Sequence, residues 1–218
     1  GSTEGVGGWF TILRHEDHLR ALDAAPDLLQ SCGKAMVHVE IRIEGEDGRP
    51  CPTGTVGEVC IKSDTVMSGY LGLPDETSAA LTDGWLHTGD LGRLDDQGYL
   101  YLVDRKKFLI ITGGYNVYPV VVENAISTHP GVREVAVVGV PDDRWGEAVC
   151  AVVVPREPGT IDPAEIADHC RPLLAKFEMP KHVVIVDELP RGATGKVLKR
   201  EVQHDMAGRT HDGEVGRS

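Results

Sequence analysis

The sequence predicts an α+β protein made of two successive units, the first of them rich in strand. Three observations lead there. Val37, Val39, Ile41 and Ile43 alternate with His38, Glu40, Arg42 and Glu44, the period that marks a half-buried strand. Two β-branched runs, at 132–140 and 148–154, read as strands of a second sheet. Between the first strand and these runs a polar basic stretch, Asp104-Arg105-Lys106-Lys107, separates different patterns and marks the joint.

In chain order, the first strand leads through the turn signal Glu46-Asp47-Gly48 to a second strand at 56–62, so the opening unit reads as a meander. Pro74-Asp75-Glu76 starts a short helix that ends near Asp83-Gly84, and 98–103 is a further strand. Beyond the joint, 108–111 is a short apolar strand broken by Gly113-Gly114. Pro119 suits a first helical position, where its missing N–H costs nothing, and Val122, Ala125 and Ile126 then share a face. Asp162-Pro163-Ala164-Glu165 starts another helix, with Asp as cap, Pro first, and Glu placed to reach back to the cap. Residues 183–186 read as a last strand, 196–206 as a terminal helix, and 207–218 as a disordered tail.

A hydrophobic share of 41% and a charged share of 26% over 218 residues fit a globular protein with a buried core. The net charge of -12 argues against a general nucleic-acid binder, because neutralising phosphates takes a surplus of Lys and Arg. Cys32, Cys51, Cys60, Cys150 and Cys170 form no CxxC pair and are odd in number, which suits free thiols in a reducing compartment. The longest apolar runs fall far short of the roughly 20 residues that span a bilayer. No signal-peptide pattern opens the chain. These features predict a soluble, cytoplasmic protein.

Three segments carry more polar residues and glycines than folding requires. In Trp85-Leu86-His87-Thr88-Gly89-Asp90-Leu91, Asp90 is either a turn residue or a carboxylate able to accept two hydrogen bonds from a cis-diol such as ribose. In Gly113-Gly114-Tyr115-Asn116-Val117-Tyr118-Pro119, the paired glycines make a tight turn or admit a ligand close to the backbone. In Pro190-Arg191-Gly192-Ala193-Thr194-Gly195-Lys196, a lysine near a helix start either reaches a phosphate or is a solvated loop lysine. It is not a Walker loop, since Pro190 and Val197 stand where that pattern needs Gly and Ser or Thr. His15 and His18 lack metal-site spacing, and Lys196, Lys199 and Arg200 read as a solvated helix face.

Order and spacing add what single motifs lack. Ser2-Thr3-Glu4, then Gly57-Glu58-Val59-Cys60-Ile61 through Ser68-Gly69-Tyr70, then Trp85 to Leu91, Asp104 to Glu123, and Pro190 to Arg200 follow one another along the chain. Together they resemble the later core motifs of the adenylate-forming superfamily, which includes acyl- and aryl-CoA synthetases, peptide-synthetase adenylation domains and firefly luciferase. Asp104-Arg105-Lys106-Lys107, the Gly113-Gly114 segment and Ala193-Thr194-Gly195-Lys196 look most like bacterial medium- or long-chain fatty-acyl-CoA synthetases.

The resemblance implies that 1–103 is the β-rich tail of a large N-terminal AMP-binding domain, and 104–206 a small mobile lid domain. It implies two half-reactions: a carboxylate and ATP form acyl-AMP and pyrophosphate, then the thiol of coenzyme A displaces AMP. By carry-over, Thr3 contacts the α-phosphate and Glu4 helps hold Mg²⁺. Asp90 clamps the ribose hydroxyls, and Arg105 also reaches the ribose. Lys196 is the catalytic lysine of the first step and Lys107 the hinge. Gly113 and Gly114 present the acceptor, Gly114 lining the pantetheine path. Phe108 stands where relatives commonly carry Asp or Glu, and Tyr115 where they often carry Glu or Phe.

The family's Ser/Thr/Gly-rich phosphate loop has no counterpart here, nor has most of the acyl pocket. The expectation is therefore a fragment, inactive alone in adenylation, whose partners are a fatty or other carboxylic acid, ATP, CoA and a missing N-terminal domain. The alternatives are an adenylation domain that loads a carrier protein, or a non-catalytic interaction module.

Overall fold

A computed structural model of the chain describes residues 1–5 and 7–211, which divide into two units, one ending at Lys107 and the other beginning at Phe108. After a 3₁₀ turn at Thr3–Gly5, the first unit runs β1 (Thr11–Ile12), α1 (His15–Asp23), β2 (Lys34–Ala35), β3 (Val39–Glu44) and β4 (Gly57–Ser63). It continues through α2 (Pro74–Ala80), β5 (Leu81–Thr82), β6 (Trp85–Leu94) and β7 (Leu100–Arg105). Strands β1 and β2 pair alone, while the other five form an antiparallel sheet in the order β3-β4-β6-β5, with β7 also on β6.

The alternation that predicts β3 sorts its side chains to the two faces of this sheet. Ile43, Val59, Ile61 and Leu86 join Phe10 and Leu100 in an apolar core on one face. The register sets Arg42 opposite Cys60 and Cys60 opposite His87, and so gathers Arg42, Glu44, Glu58, Cys60 and His87 on the other. Between the pairs Glu58–Leu91 and Cys60–His87, β4 advances two residues and β6 four, so Thr88-Gly89-Asp90 bulges out of the ladder.

The second unit begins within a 3₁₀ turn, Lys106–Phe108, that spans the division. It then runs β8 (Ile110–Thr112), β9 (Tyr115–Val117), α3 (Pro119–Ser127), β10 (Val132–Asp142), β11 (Gly146–Pro155), α4 (Pro163–Cys170), β12 (His182–Ile185) and α5 (Lys199–His211). The sheet order is β10-β11-β8-β9, with β12 parallel to β11.

Both β-branched runs are buried on both faces, which explains their nearly unbroken apolar character. Val149, Ala151 and Val153 face a core shared with Val122 and Ile126 of α3 and Ile166 and Cys170 of α4. Their neighbours Ala148, Cys150, Val152 and Val154 face Val202 and Met206 of α5. The asparagine-free turn at the tip is closed by Asp142, whose Oδ1 accepts from Arg144 N and Trp145 N, each at 2.9 Å.

Several boundaries move. The chain divides after Lys107 rather than at 103/104, because Asp104 and Arg105 still belong to β7. Helix α2 stops at Ala80, and Asp83 and Gly84, with φ of 52° and 78°, make the two-residue turn of the β5–β6 hairpin instead. The terminal helix starts at Lys199, not 196, and continues to His211, five residues into the expected tail; the rest of that tail, 212–218, lies outside the described residues. No helix among the described residues is long and apolar enough to cross a membrane.

Candidate active site

In the first unit, the Asp90 bulge faces β7. Asp90 pairs with Arg105 across the strands, and Arg105 Nε lies 2.5 Å from Asp90 Oδ1. Burial pushes the Asp90 carboxyl up; Arg105 pulls it down, Glu4 adds to the rise, and the net result stays above the ordinary aspartate value. Gly89 takes a φ of 69°, a left-handed conformation that favours glycine and turns the chain towards Asp90. The bulge is bolted to β4: Thr88 Oγ1 donates to Val59 O at 2.8 Å and accepts from Asp90 N at 3.1 Å.

Glu4, in the first 3₁₀ turn, belongs to the same neighbourhood, since its charge and those of Asp90 and Arg105 act on one another. Tyr70 Oη donates to Glu4 Oε1 at 2.9 Å, and Glu4 O accepts from Met67 N at 2.7 Å. The carboxyl of Glu4 is held below its usual value, first by its own backbone amide, against burial, and then by Tyr70 and Arg105. An ionised, partly exposed carboxylate fits Mg²⁺, which takes one or two carboxylates and completes its shell with water and substrate phosphate oxygens. Thr3 is exposed in the same turn. Lys107 is exposed, and its charge reaches Asp90.

In the second unit, Gly113 and Gly114 form the two-residue turn joining β8 to β9, with φ of 57° and 84°. This resolves the tight-turn reading in its favour without closing the other, because a Cβ on Gly114 would meet nothing within 4 Å while one on Gly113 would strike Trp145 Cε3 at 2.5 Å. Beside this turn Tyr115 stacks on Phe177, ring centroids 4.8 Å apart, though the two are 58% and 40% exposed.

Lys196 stands exposed on a closed loop. Gly192 N donates to Lys196 O at 2.9 Å, Arg191 Nη1 donates to Gly195 O at 2.6 Å, and Leu198 N donates to Pro190 O at 2.8 Å. Arg191 also pairs with Glu134 of β10, which ties the loop to the sheet.

Two features escape sequence reading. Lys199 is not on a solvated face: its Nζ lies 2.6 Å from Glu123 Oε1 with the two side chains only 18% and 17% exposed, and that carboxylate accepts from Val137 N. The polar face of the first sheet also brings Glu44, Cys60 and His87 together, with potential ligand atoms within 4.8 Å of one another. Its charges are already matched, Arg42 with Glu44 and Lys106 with Glu58. Burial, with Glu44 and Glu58, pushes the Cys60 thiol up to about 12.

Comparison with known proteins bears on both units. The family described as AMP-binding enzyme matches residues 1–71, and that of the AMP-binding enzyme C-terminal domain matches residues 121–196. A medium/long-chain-fatty-acid–CoA ligase of Mycobacterium tuberculosis is 44% identical over 182 residues, 80% of this chain and 32% of its own. An indoleacetate–CoA ligase of Aromatoleum aromaticum is 44% identical over 180 residues, 83% of this chain and 35% of its own. The chain thus spans about a third of these relatives' length. The structure of o-succinylbenzoate CoA synthetase from Bacillus subtilis, in complex with its acyl-adenylate intermediate, superimposes with a TM-score of 0.82 at 36% identity, covering 93% of this chain and 40% of that one. With both family descriptions matched in order and the fold shared, the chain belongs to the AMP-binding, adenylate-forming enzyme superfamily.

Proposed function

We propose that the protein carrying this chain is an ATP-dependent acid–thiol ligase, which converts a carboxylic acid to acyl-AMP and passes the acyl group to CoA. The observation that carries this reading is the Asp90–Arg105 pair, set beside Glu4 on adjoining elements of one unit. In this reading Asp90 accepts from the ribose hydroxyls, and Arg105 holds that carboxylate while reaching the ribose. Thr3 lies against the α-phosphate, and Glu4 would hold Mg²⁺, whose charge offsets that of the phosphates.

Lys196 places a positive charge where negative charge develops between the attacking carboxylate and the α-phosphate, an electrostatic and not a nucleophilic role. Lys107 is the hinge about which the second unit exchanges Lys196 for the Gly113-Gly114 turn. That turn admits the pantetheine arm at Gly114, where nothing stands within 4 Å of a Cβ. The acids of the relatives share a carboxylate and little else. A fatty acid is the acid we favour, on the likeness of the Gly113-Gly114 segment to fatty-acyl-CoA synthetases.

The test is acyl-CoA formation with ATP, Mg²⁺, CoA and a panel of acids, by this chain and by its full-length protein, each with and without Lys196→Ala. We expect product from the full-length protein and no acyl-AMP from the 218-residue chain alone. Lys196→Ala should slow acyl-AMP formation by about 10²–10³-fold, the usual cost of one transition-state charge contact. It should leave transfer from supplied acyl-AMP to CoA nearly intact. No AMP release with any acid would overturn the reading, and transfer to a carrier protein but not to CoA would replace the acceptor.

A further inference from the structure

Glu58 lies on β4, in neither the Asp90 segment nor the joint, yet it touches both. Its side chain is only 12% exposed. One oxygen, Oε1, accepts from Gly89 N at 3.1 Å, at the centre of the bulge that aims Asp90. The other, Oε2, accepts from Lys106 Nζ at 2.8 Å. Lys106 follows Arg105, the partner of Asp90, and precedes Lys107. His87, on the residue before Thr88, completes the surroundings with Nδ1 3.5 Å from Oε2.

The arrangement is more than a surface ion pair. An exposed pair is worth little because water and side-chain entropy take back most of its Coulomb energy. Here a mostly buried carboxylate accepts from a backbone amide and an ammonium at once, a charge-assisted geometry of the stronger kind. The amide it holds belongs to a residue in the left-handed region, where the backbone has few other ways to be satisfied. Without Glu58 the Gly89 N–H has no ladder partner, since the bulge has removed it from the β4–β6 pairing.

We propose that Glu58 is a positioning residue for the nucleotide reaction. It holds the Asp90 bulge with one oxygen and the Arg105-Lys106-Lys107 segment with the other, so that ribose clamp and hinge share one anchor. The two arms separate chemically. Glu58→Gln keeps an oxygen for Gly89 but loses the charge that holds Lys106; Glu58→Ala loses both; Lys106→Met loses the second arm from the other side.

This assignment rests on the adenylate-forming reading, and the experiment separates the two. In the full-length protein, AMP affinity is measured by calorimetry, and acyl-AMP formation and acyl transfer are measured as separate single-turnover rates. Glu58→Ala should weaken AMP binding about 10-fold, in keeping with loss of a charged hydrogen bond, and Glu58→Gln no more than about 2-fold. Glu58→Gln and Lys106→Met should each change the ratio of the two half-reaction rates about 3–10-fold, and the double variant no more than either alone.

If Glu58→Ala fails to fold, the Gln and Met pair still decides, because a merely structural loss would move both rates together. AMP affinity within about 2-fold of the unsubstituted protein in a folded Glu58→Ala variant would overturn the Glu58 assignment alone, as would an unchanged rate ratio in both single variants. No AMP binding by the unsubstituted protein would overturn the nucleotide reading and this assignment with it.

Discussion

In the proposed reading Asp90 binds the ribose, and its burial comes at a cost to folding. Its carboxyl is raised above the usual 3.8 because burial outweighs Arg105, with Glu4 adding to the rise. A carboxyl whose folded value lies above its unfolded one destabilises the fold at neutral pH, and that cost is relieved as pH falls through the folded value. Asp90→Asn should therefore leave the melting temperature at pH 7 unchanged or raised, while weakening AMP binding about 10-fold. In acid, AMP affinity of the unsubstituted protein should fall as Asp90 protonates, at a higher pH than for an unburied aspartate. Comparing the two pH profiles checks this; an acid limb of equal depth in Asp90→Asn would sink it.

The thiols offer a second residue-scale expectation. Burial pushes Cys150 up to about 12 and Cys170 up to about 11, and Cys60 lies with them. Only the partly exposed Cys32 and Cys51 should react with a thiol reagent at pH 8 in the folded protein. Peptide mapping after labelling checks it, and early modification of Cys60 would refute it. Asp90 stands out as a candidate from its place after Thr-Gly, but Glu58 does not, since its partners arrive from β6 and from the 3₁₀ turn after β7, and no spacing along the chain encodes that register.

Among elements, those specified by local chemistry were the readable ones. Helix α4 starts where Asp162 predicts: Asp162 Oδ1 accepts from Glu165 N at 3.0 Å, and Glu165 Oε2 accepts from Asp162 N at 3.1 Å. Asp162→Ala should cost about 1 kcal/mol in chemical denaturation, the usual worth of such a cap. Pro119 likewise opens α3, with Val122, Ala125 and Ile126 buried as their spacing requires. Strand β6 was not readable, because its Thr-Gly-Asp bulge imitates a turn. Strand β9 was hidden by the glycine pair, which reads equally as a loop.

At that glycine pair the two residues should behave differently. Gly113→Ala must strain a positive φ and displace Trp145, whereas Gly114→Ala meets only the strain. We expect about 1–3 kcal/mol from the backbone at either site. A further loss, with altered Trp145 fluorescence, should appear only for Gly113→Ala. Equal stability and spectra for the two variants would contradict the packing.

At the scale of the molecule, each unit has a core of its own. In the first, Ile61 and Leu86 are 1% exposed within the cluster under the sheet. In the second, Ile126 and Val137 are 0% exposed in the layer beneath α3 and α4, while α5 covers the opposite face. A sheet buried on both faces has no polar side on which to lose packing gradually, so the second unit should melt cooperatively. Ile126→Ala should lower its stability by about 2–5 kcal/mol, through lost burial plus the cavity left behind. Ile61→Ala should do the same to the first unit. Trp145 reports on the second unit, and Trp9 and Trp85 on the first. Phe substitution at Trp9 and Trp85 therefore allows the second unit to be followed alone. If the cores are energetically separate, Ile61→Ala leaves the Trp145 transition where it was and Ile126→Ala shifts it. A shift of equal size from both would mean that the division after Lys107 does not divide stability, and that a hinge there must work against a shared folding unit.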